Sequence, residues 1–242
     1  MTLLDPRGIR VLLCDADDCL FGSETHAFVA STEVTNRFLE EIGAPDRYAP
    51  EELRRLAAGR NFRAVATALA ERHGITPDPD ALERWVAEER ERVVTHLAEV
   101  LDPDARVTGS LTRLGSRFGL AVVSSSALER LEACFAAAGL DDLFPHAVRF
   151  SAEDSLPVPA SKPDPAVYAF AAAHLGIEPA ACLAVEDSVS GVRSAVAARI
   201  PVAGNLLFVP EEERDERRRA LMEAGAAVVT GSWTELEGLL AA

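Results

Sequence analysis

Residues 9–20 read IRVLLCDADDCL, a short apolar run that ends at a pair of aspartates, Asp15 and Asp17. A continuous apolar run of this length is typical of a strand that a parallel sheet buries on both faces. Similar runs recur at 120–124, 182–185, 201–203 and 227–229. Helical patterns at 127–138 and 165–175 lie between them, and a glycine follows each. The alternation predicts an α/β fold with a doubly wound parallel sheet, which binds ligands at the carboxyl ends of its strands.

Between residues 24 and 100 the pattern changes, and only helical periodicity is present. The apolar spacing predicts four helices, at 25–42, 50–58, 61–73 and 78–98. A helical insert after the first strand predicts a small cap domain over residues 24–100. The Rossmann-like catalytic core would then be formed by residues 1–23 and 101–242.

Composition and charge limit the class of protein. Of the 242 residues 48% are hydrophobic, and the net charge is −15. No apolar run approaches the roughly 20 residues of a membrane span, and the first residues lack the pattern of a signal peptide. We therefore expect a cytoplasmic protein that does not bind a membrane. We also expect no nucleic-acid partner, since the negative charge repels a phosphate backbone. The expected oligomeric state is a monomer or weak homodimer. A phosphorylated substrate would need a bound cation or local basic groups.

Two further patterns predict structure and not function. The four cysteines (Cys14, Cys19, Cys134 and Cys182) are irregularly spaced, which predicts buried, reduced thiols. The mixed-charge run EEERDERRR at 211–219 predicts a solvated helix face.

Polar side chains follow the first two predicted strands. Asp15 and Asp17 stand where such a sheet places its ligands, and they could divide nucleophilic and acid/base roles, or serve as turn residues. Ser124, Ser125 and Ser126 stand at the end of the next apolar run and lead into a predicted helix. Their hydroxyl and N–H groups can hold a phosphate oxygen or cap the helix.

A lysine and two acids complete the set. Lys162 lies in SKPDP, where two prolines stiffen the loop. Its charge could neutralise a transferring phosphoryl group. An ordinary surface lysine would give the same sequence pattern. Glu186 and Asp187 follow the run CLAV, and with the first strand's acids they predict an oxygen-rich site suited to Mg²⁺. The joint occurrence supplies a nucleophile, an acid/base, phosphate donors, a cation and metal ligands.

The segments DADDCL, VVSSS, KPDP and VEDSVSG together resemble the four motifs of the haloacid dehalogenase superfamily, in the branch with a helical cap after the first motif. The resemblance covers almost the whole chain and is to phosphatases and sugar phosphomutases of that branch. It implies a Mg²⁺-dependent phosphatase that hydrolyses a small phosphorylated metabolite, such as a sugar phosphate. Asp15 would become an aspartyl phosphate, while Asp17 would protonate the leaving oxygen and then activate water.

The resemblance also implies binding roles. Ser124 would bind the phosphoryl group through its hydroxyl and Ser125 through its backbone, and Lys162 would balance charge. Mg²⁺ would be held by Asp15, the backbone carbonyl of Asp17, Asp187 and, through water, Glu186.

Four positions depart from the family pattern. Asp18 and Cys19 replace the usual glycine and threonine or valine, Gly22 replaces a frequent aspartate, and Arg199 replaces a usual glycine. Aspartate tolerates unusual backbone geometry, so we expect the turn at Asp18 to survive. Cys19 would be open to oxidation only if it is exposed and ionised.

Subclass markers narrow the activity. Asp17 argues against a dehalogenase, and the cap has no lysine for the Schiff base of a phosphonoacetaldehyde hydrolase. β-Phosphoglucomutases have Lys immediately before a cap glycine and Arg three residues after it, whereas Ala58 and Phe62 flank Gly59 at those offsets.

Arg60 and Arg63 stay candidates for reading the leaving group, or for packing within the cap. Two alternatives to the phosphatase remain open. One is a β-phosphoglucomutase-like mutase, and the other is an inactive family member that binds a ligand or partner, which Asp18 and Cys19 favour.

Overall fold

The computed structural model describes residues 6–57 and 60–241. It divides into two compact units. The core unit comprises Met1–Gly22 and Asp102–Ala242, and the helical unit comprises Ser23–Leu101. Within the described ranges, no helix is both long and apolar enough to cross a membrane.

The helical unit contains helices α1 (Glu24–Glu41), α2 (Pro50–Ala57), α3 (Phe62–Glu71) and α4 (Pro79–Val100). Side-chain caps start the last two, because Asn61 accepts from the Ala64 N–H at 3.0 Å and Asp78 accepts from the Ala81 N–H at 2.9 Å. Their apolar faces form one cluster around the buried Phe38. All four predicted helices are present in the described residues, and the predicted last residue of the second helix, 58, lies outside them.

The core unit contains a six-stranded parallel sheet with the order β3-β2-β1-β4-β5-β6. Its strands are β1 (Val11–Cys14), β2 (Gly119–Ser124), β3 (Arg149–Ser151), β4 (Cys182–Glu186), β5 (Val202–Asn205) and β6 (Val228–Thr230). The predicted doubly wound fold is confirmed. β3 was not predicted, because a three-residue strand, RFS, with two polar residues has no apolar run.

The core helices flank this sheet: α5 (Ala105–Gly115), α6 (Leu128–Ala137), α7 (Ala166–His174), α8 (Val189–Ala197), α9 (Arg214–Ala224) and α10 (Trp233–Ala241). Every residue of β1 and β4 is buried, as expected for central strands covered on both faces. The chain changes direction across the sheet at β1, whose neighbours are β2 and β4. The carboxyl end of β1 is therefore at the switch point where such sheets bind ligands.

Helix α8 ends in a left-handed turn at Arg199. The Arg199 N–H donates to the Val196 carbonyl at 2.9 Å, and the Ile200 N–H donates to the Ala195 carbonyl at 3.0 Å. Arg199 has a φ of 64°, a conformation in which a Cβ meets the backbone and glycine is usual. The departure from the family glycine thus falls on a strained position.

We predict that Arg199→Gly raises the free energy of unfolding by about 0.5–1 kcal/mol, because glycine adopts this conformation without the Cβ conflict. Arg199→Ala removes the same exposed side chain but keeps the Cβ, so it should give no such gain. Urea unfolding of the three proteins measures the difference. Equal midpoints for the Gly and Ala variants would contradict the account of this turn.

Candidate active site

The nucleophile candidate, Asp15, continues β1 directly. Its N–H donates to the Val185 carbonyl of β4 at 2.9 Å, so the backbone at Asp15 is still held by the sheet. Cys14 pairs with Val122 of β2 and with Val185 of β4. This register aligns the carboxyl ends of β1, β2 and β4 at one edge of the sheet. Asp15, Ser124 and Glu186 therefore lie near one another at that edge.

Lys162 connects these strand ends. Its Nζ donates to Asp15 Oδ1 at 2.5 Å, to Glu186 Oε1 at 2.6 Å and to the Val123 carbonyl at 2.8 Å. The side chain is only 5% exposed, and it is the single lysine of the sequence. Burial disfavours the ammonium, but the two carboxylates outweigh burial and raise the pKa of Lys162, so the group stays charged.

Glu186 is held from several sides. The Tyr168 hydroxyl donates to Oε1 at 2.6 Å, and the Ser188 hydroxyl lies 3.3 Å from Oε2. A Cβ at Gly191 would lie 1.8 Å from Oε2, so only glycine fits against this carboxylate. Glu186 therefore orients Lys162 as well as adding charge to the site. Tyr168 and Gly191 were not predicted from the sequence, although a glycine inside helix α8 is costly and is a signal of close packing.

Three acids form a compact cluster. Asp15, Glu186 and Asp187 are buried, and one ligand oxygen from each lies within 4.8 Å of the others. Burial is the main cause that raises the pKa of Asp15 and of Asp187 above the usual range, and the neighbouring carboxylates raise both further. Full ionisation of the three acids would therefore leave more negative charge than Lys162 alone compensates. Hard oxygen donors with surplus charge fit a cation such as Mg²⁺.

The mixed-charge run 211–219 is largely exposed, as predicted for a solvated helix face, but one of its arginines also contacts this region. Arg217 donates to the Asp187 carbonyl at 2.9 Å, and its Nη1 lies 3.6 Å from Asp187 Oδ2. Arg214 donates to the Val209 carbonyl at 3.0 Å, and Arg218 donates to the Val229 carbonyl. The alternation of charge along the run did not reveal which arginines turn inward.

Asp17 has a different environment from Asp15. Arg130 Nη2 donates to Asp17 Oδ1 at 2.6 Å, and the Ser126 hydroxyl donates to Oδ2 at 2.7 Å. About a quarter of each side chain of the ion pair is exposed, 25% for Arg130 and 26% for Asp17. Ser126 belongs to the predicted phosphate-binding segment, but neither its contact with Asp17 nor that of Arg130 was predicted from the sequence. Asp18, next in the chain, adopts a φ of 53° and donates its N–H to the Phe21 carbonyl at 2.9 Å, so it takes the left-handed turn expected of it.

The serines after β2 differ in exposure. Ser124 is buried, and its hydroxyl oxygen accepts from the Ser126 N–H at 3.1 Å. Ser125 is exposed, and its hydroxyl oxygen accepts from the Lys162 N–H at 3.2 Å. Ser125 thus ties the loop of Lys162 to the end of β2, in addition to any contact with a ligand.

All four cysteines are buried free thiols. Burial raises the pKa of the Cys19 thiol, and nearby carboxylates raise it further, so the reactive thiolate is disfavoured. Cys19 instead supports the loop after β1, because its carbonyl accepts from the Trp233 indole N–H at 2.9 Å.

The two arginines proposed to read the leaving group have partners inside the helical unit. Arg60 donates to the carbonyls of Leu56 and Ala57, the last residues of α2. Arg63 forms an ion pair with Glu83. These contacts fit packing within the cap, which is one of the two roles that the sequence leaves open for Arg60 and Arg63. Ala58 and Gly59, on which the comparison with mutases depends, lie outside the described residues.

Similarity to known proteins agrees with this geometry. The sequence model of the haloacid dehalogenase-like hydrolase family matches residues 9–199. Hexitol phosphatase B of Escherichia coli (strain K12) is 43% identical over 60 residues, so the match spans 25% of this chain and only 26% of that protein. The protein named "Putative phosphatase YhcW" of Bacillus subtilis (strain 168) is 30% identical over 232 residues, 91% of this chain and 96% of that protein.

Among solved structures, a "putative beta-phosphoglucomutase" from Thermotoga maritima is 26% identical, with a TM-score of 0.70 over 96% of this chain and 99% of that chain. The similar proteins therefore include two that are named as phosphatases and one that is named as a mutase. Since the family match covers well over half of the sequence, this chain belongs to the haloacid dehalogenase-like hydrolase family.

Proposed function

We propose that the protein is a Mg²⁺-dependent phosphatase that hydrolyses a small phosphomonoester, such as a sugar phosphate, through an aspartyl phosphate on Asp15. The observation that carries the proposal is the buried Lys162 ammonium bound to Asp15 at the carboxyl end of β1. A fixed positive charge beside a carboxylate nucleophile lowers the repulsion that a phosphate dianion would meet. The cytoplasmic location and the monomeric or weakly dimeric state are part of the same proposal.

In the first half-reaction a carboxylate oxygen of Asp15 attacks phosphorus in line. The bond from phosphorus to the ester oxygen breaks, and the leaving oxygen takes a proton from Asp17. Ser124 holds a phosphoryl oxygen through its hydroxyl, and Ser125 holds one through its backbone N–H. Lys162 balances the charge that shifts during transfer.

In the second half-reaction water attacks the phosphorus of the aspartyl phosphate. Asp17 takes a proton from that water, the bond from Asp15 to phosphorus breaks, and inorganic phosphate leaves. Asp15, Asp187 and the backbone carbonyl of Asp17 would hold Mg²⁺, with Glu186 close by. When bound, Mg²⁺ supplies positive charge to the phosphoryl oxygens.

A mutase is the second candidate, since a protein of this fold is named as one. A mutase must keep water away from its aspartyl phosphate and grip the far end of a bisphosphate. The Lys and Arg that do so in β-phosphoglucomutases are absent at the offsets from Gly59. Incubation with β-glucose 1-phosphate and a trace of glucose 1,6-bisphosphate separates the two. Inorganic phosphate without glucose 6-phosphate supports the phosphatase, and efficient isomerisation would replace it with the mutase.

Asp15→Asn should lower phosphate release from 4-nitrophenyl phosphate by at least about a thousandfold, because a neutral amide cannot form the aspartyl phosphate. Asp142→Asn is the matched control, since Asp142 is an exposed acid of the core unit. It should leave the rate unchanged. Activity of Asp15→Asn near that of the parent would rule out the proposed nucleophile.

The acid cluster also predicts pH-dependent stability. The pKa values of Asp15 and Asp187 are raised in the folded protein, so the folded acids keep their protons while the unfolded ones ionise above about pH 4. In EDTA the thermal midpoint should therefore fall as pH rises from about 5 to about 8. Mg²⁺ competes with those protons, so it should raise the midpoint more at the higher pH.

Scanning calorimetry of the parent, Asp187→Asn and Asp142→Asn tests this linkage. Asp187→Asn should lose most of the Mg²⁺ effect, and Asp142→Asn should keep it. A midpoint that Mg²⁺ does not change at either pH would argue that the cluster binds no cation.

A further inference from the structure

Arg130 lies in the first turn of α6 and donates to the carboxylate of Asp17 at 2.6 Å. A positive side chain in the first turn of a helix is opposed by the helix dipole, so the position does not favour α6 itself. Arg130 instead forms an ion pair with Asp17, 113 residues earlier in the chain. The ion pair is therefore a long-range contact at a residue of the proposed site.

Ser126 completes the arrangement. Its hydroxyl donates to the other oxygen of Asp17 at 2.7 Å, while its N–H donates to the Ser124 hydroxyl oxygen at 3.1 Å. One short segment, from Ser124 at the end of β2 to Arg130 in the first turn of α6, thus carries the proposed phosphate-binding hydroxyl and two donors to Asp17. The distance between a bound phosphoryl group and the carboxyl of Asp17 is consequently set by that segment.

We infer that Arg130 is a positioning residue that holds Asp17 for proton transfer to the leaving oxygen. The inference rests on the proposed function. A general acid acts only within hydrogen-bond reach of the atom that it protonates, and Asp17 is on a partly exposed loop with two rotatable side-chain bonds. A misplacement of about 1 Å can lower a rate about a hundredfold. The electrostatic effect of a solvent-exposed ion pair changes a rate by only about fivefold or less. The position of Asp17 should therefore affect the rate more than the charge of Arg130 does.

The test compares two substrates of similar shape, phenyl phosphate and 4-nitrophenyl phosphate. Phenol is the much poorer leaving group, so only phenyl phosphate depends strongly on an acid. kcat/KM covers the steps up to departure of the leaving group and excludes later hydrolysis. Arg130→Met should lower kcat/KM for phenyl phosphate at least about tenfold more than for 4-nitrophenyl phosphate. Ser126→Ala should likewise lower kcat/KM for phenyl phosphate more than for 4-nitrophenyl phosphate.

Two variants serve as references. Arg130→Lys keeps the charge but not the planar donor group, so it should lower kcat/KM for phenyl phosphate less than Arg130→Met does. Arg113→Met is the control, because Arg113 forms a comparable pair with Glu237, at 2.6 and 2.8 Å, between α5 and α10. It should leave both values unchanged.

A merely structural role for Arg130 would lower both kcat/KM values by the same factor, and that result would overturn the inference. If Arg130→Met does not fold, the ratio of kcat/KM for phenyl phosphate to kcat/KM for 4-nitrophenyl phosphate is compared for Arg130→Lys and Ser126→Ala. An unchanged ratio in both variants would then overturn the inference. A wild type that releases no phosphate from either substrate would overturn the proposed function together with the inference. An active wild type, with selective loss in Asp17→Asn but not in the Arg130 variants, would overturn the inference alone.

Discussion

The contact of the Lys162 ammonium with Asp15, Glu186 and the Val123 carbonyl is the interaction on which the site depends. A buried ammonium is tolerated only if its donors are satisfied, and removing one partner of such a pair typically costs about 3–5 kcal/mol. The three acceptors come from three adjacent strands, so the parallel register must be correct before the lysine can be buried. Folding of the central sheet and assembly of the site are therefore coupled.

The two aspartates after β1 have environments of opposite character, although one residue separates them. Asp15 is buried among carboxylates and one ammonium, whereas Asp17 is partly exposed and bound by Arg130 and Ser126. Chemically identical groups in different surroundings can take different roles, with one as nucleophile and the other as acid and base. Regular strand alternation would place two residues at this spacing on the same side. The difference comes instead from the loop after β1, where Asp17 meets Ser126 and Arg130.

Sequence patterns predicted the elements that depend on local or periodic information. Five of the six strands were apolar runs, and the helices followed their spacing, whereas β3 was too short and polar to be recognised. The positions of Asp15, Ser124, Glu186 and Asp187 at strand ends, and of Lys162 in a loop, followed from the order of the motifs. Their partners did not, because Arg130, Tyr168, Gly191 and Arg217 are brought in by the packing of separate helices. Such contacts depend on register and rotamer, which residue spacing along one chain does not determine.

The account depends most directly on Asp15 becoming phosphorylated. An aspartyl phosphate can be trapped by borohydride, which reduces the acyl phosphate to an alcohol and converts the aspartate to homoserine. Asp17→Asn, which should hydrolyse the intermediate slowly, would be mixed with 4-nitrophenyl phosphate and Mg²⁺, quenched, reduced and digested for mass spectrometry. The account predicts homoserine at position 15. Homoserine at another aspartate, or an unmodified Asp15 in a sample that has released a stoichiometric burst of 4-nitrophenol, would contradict it.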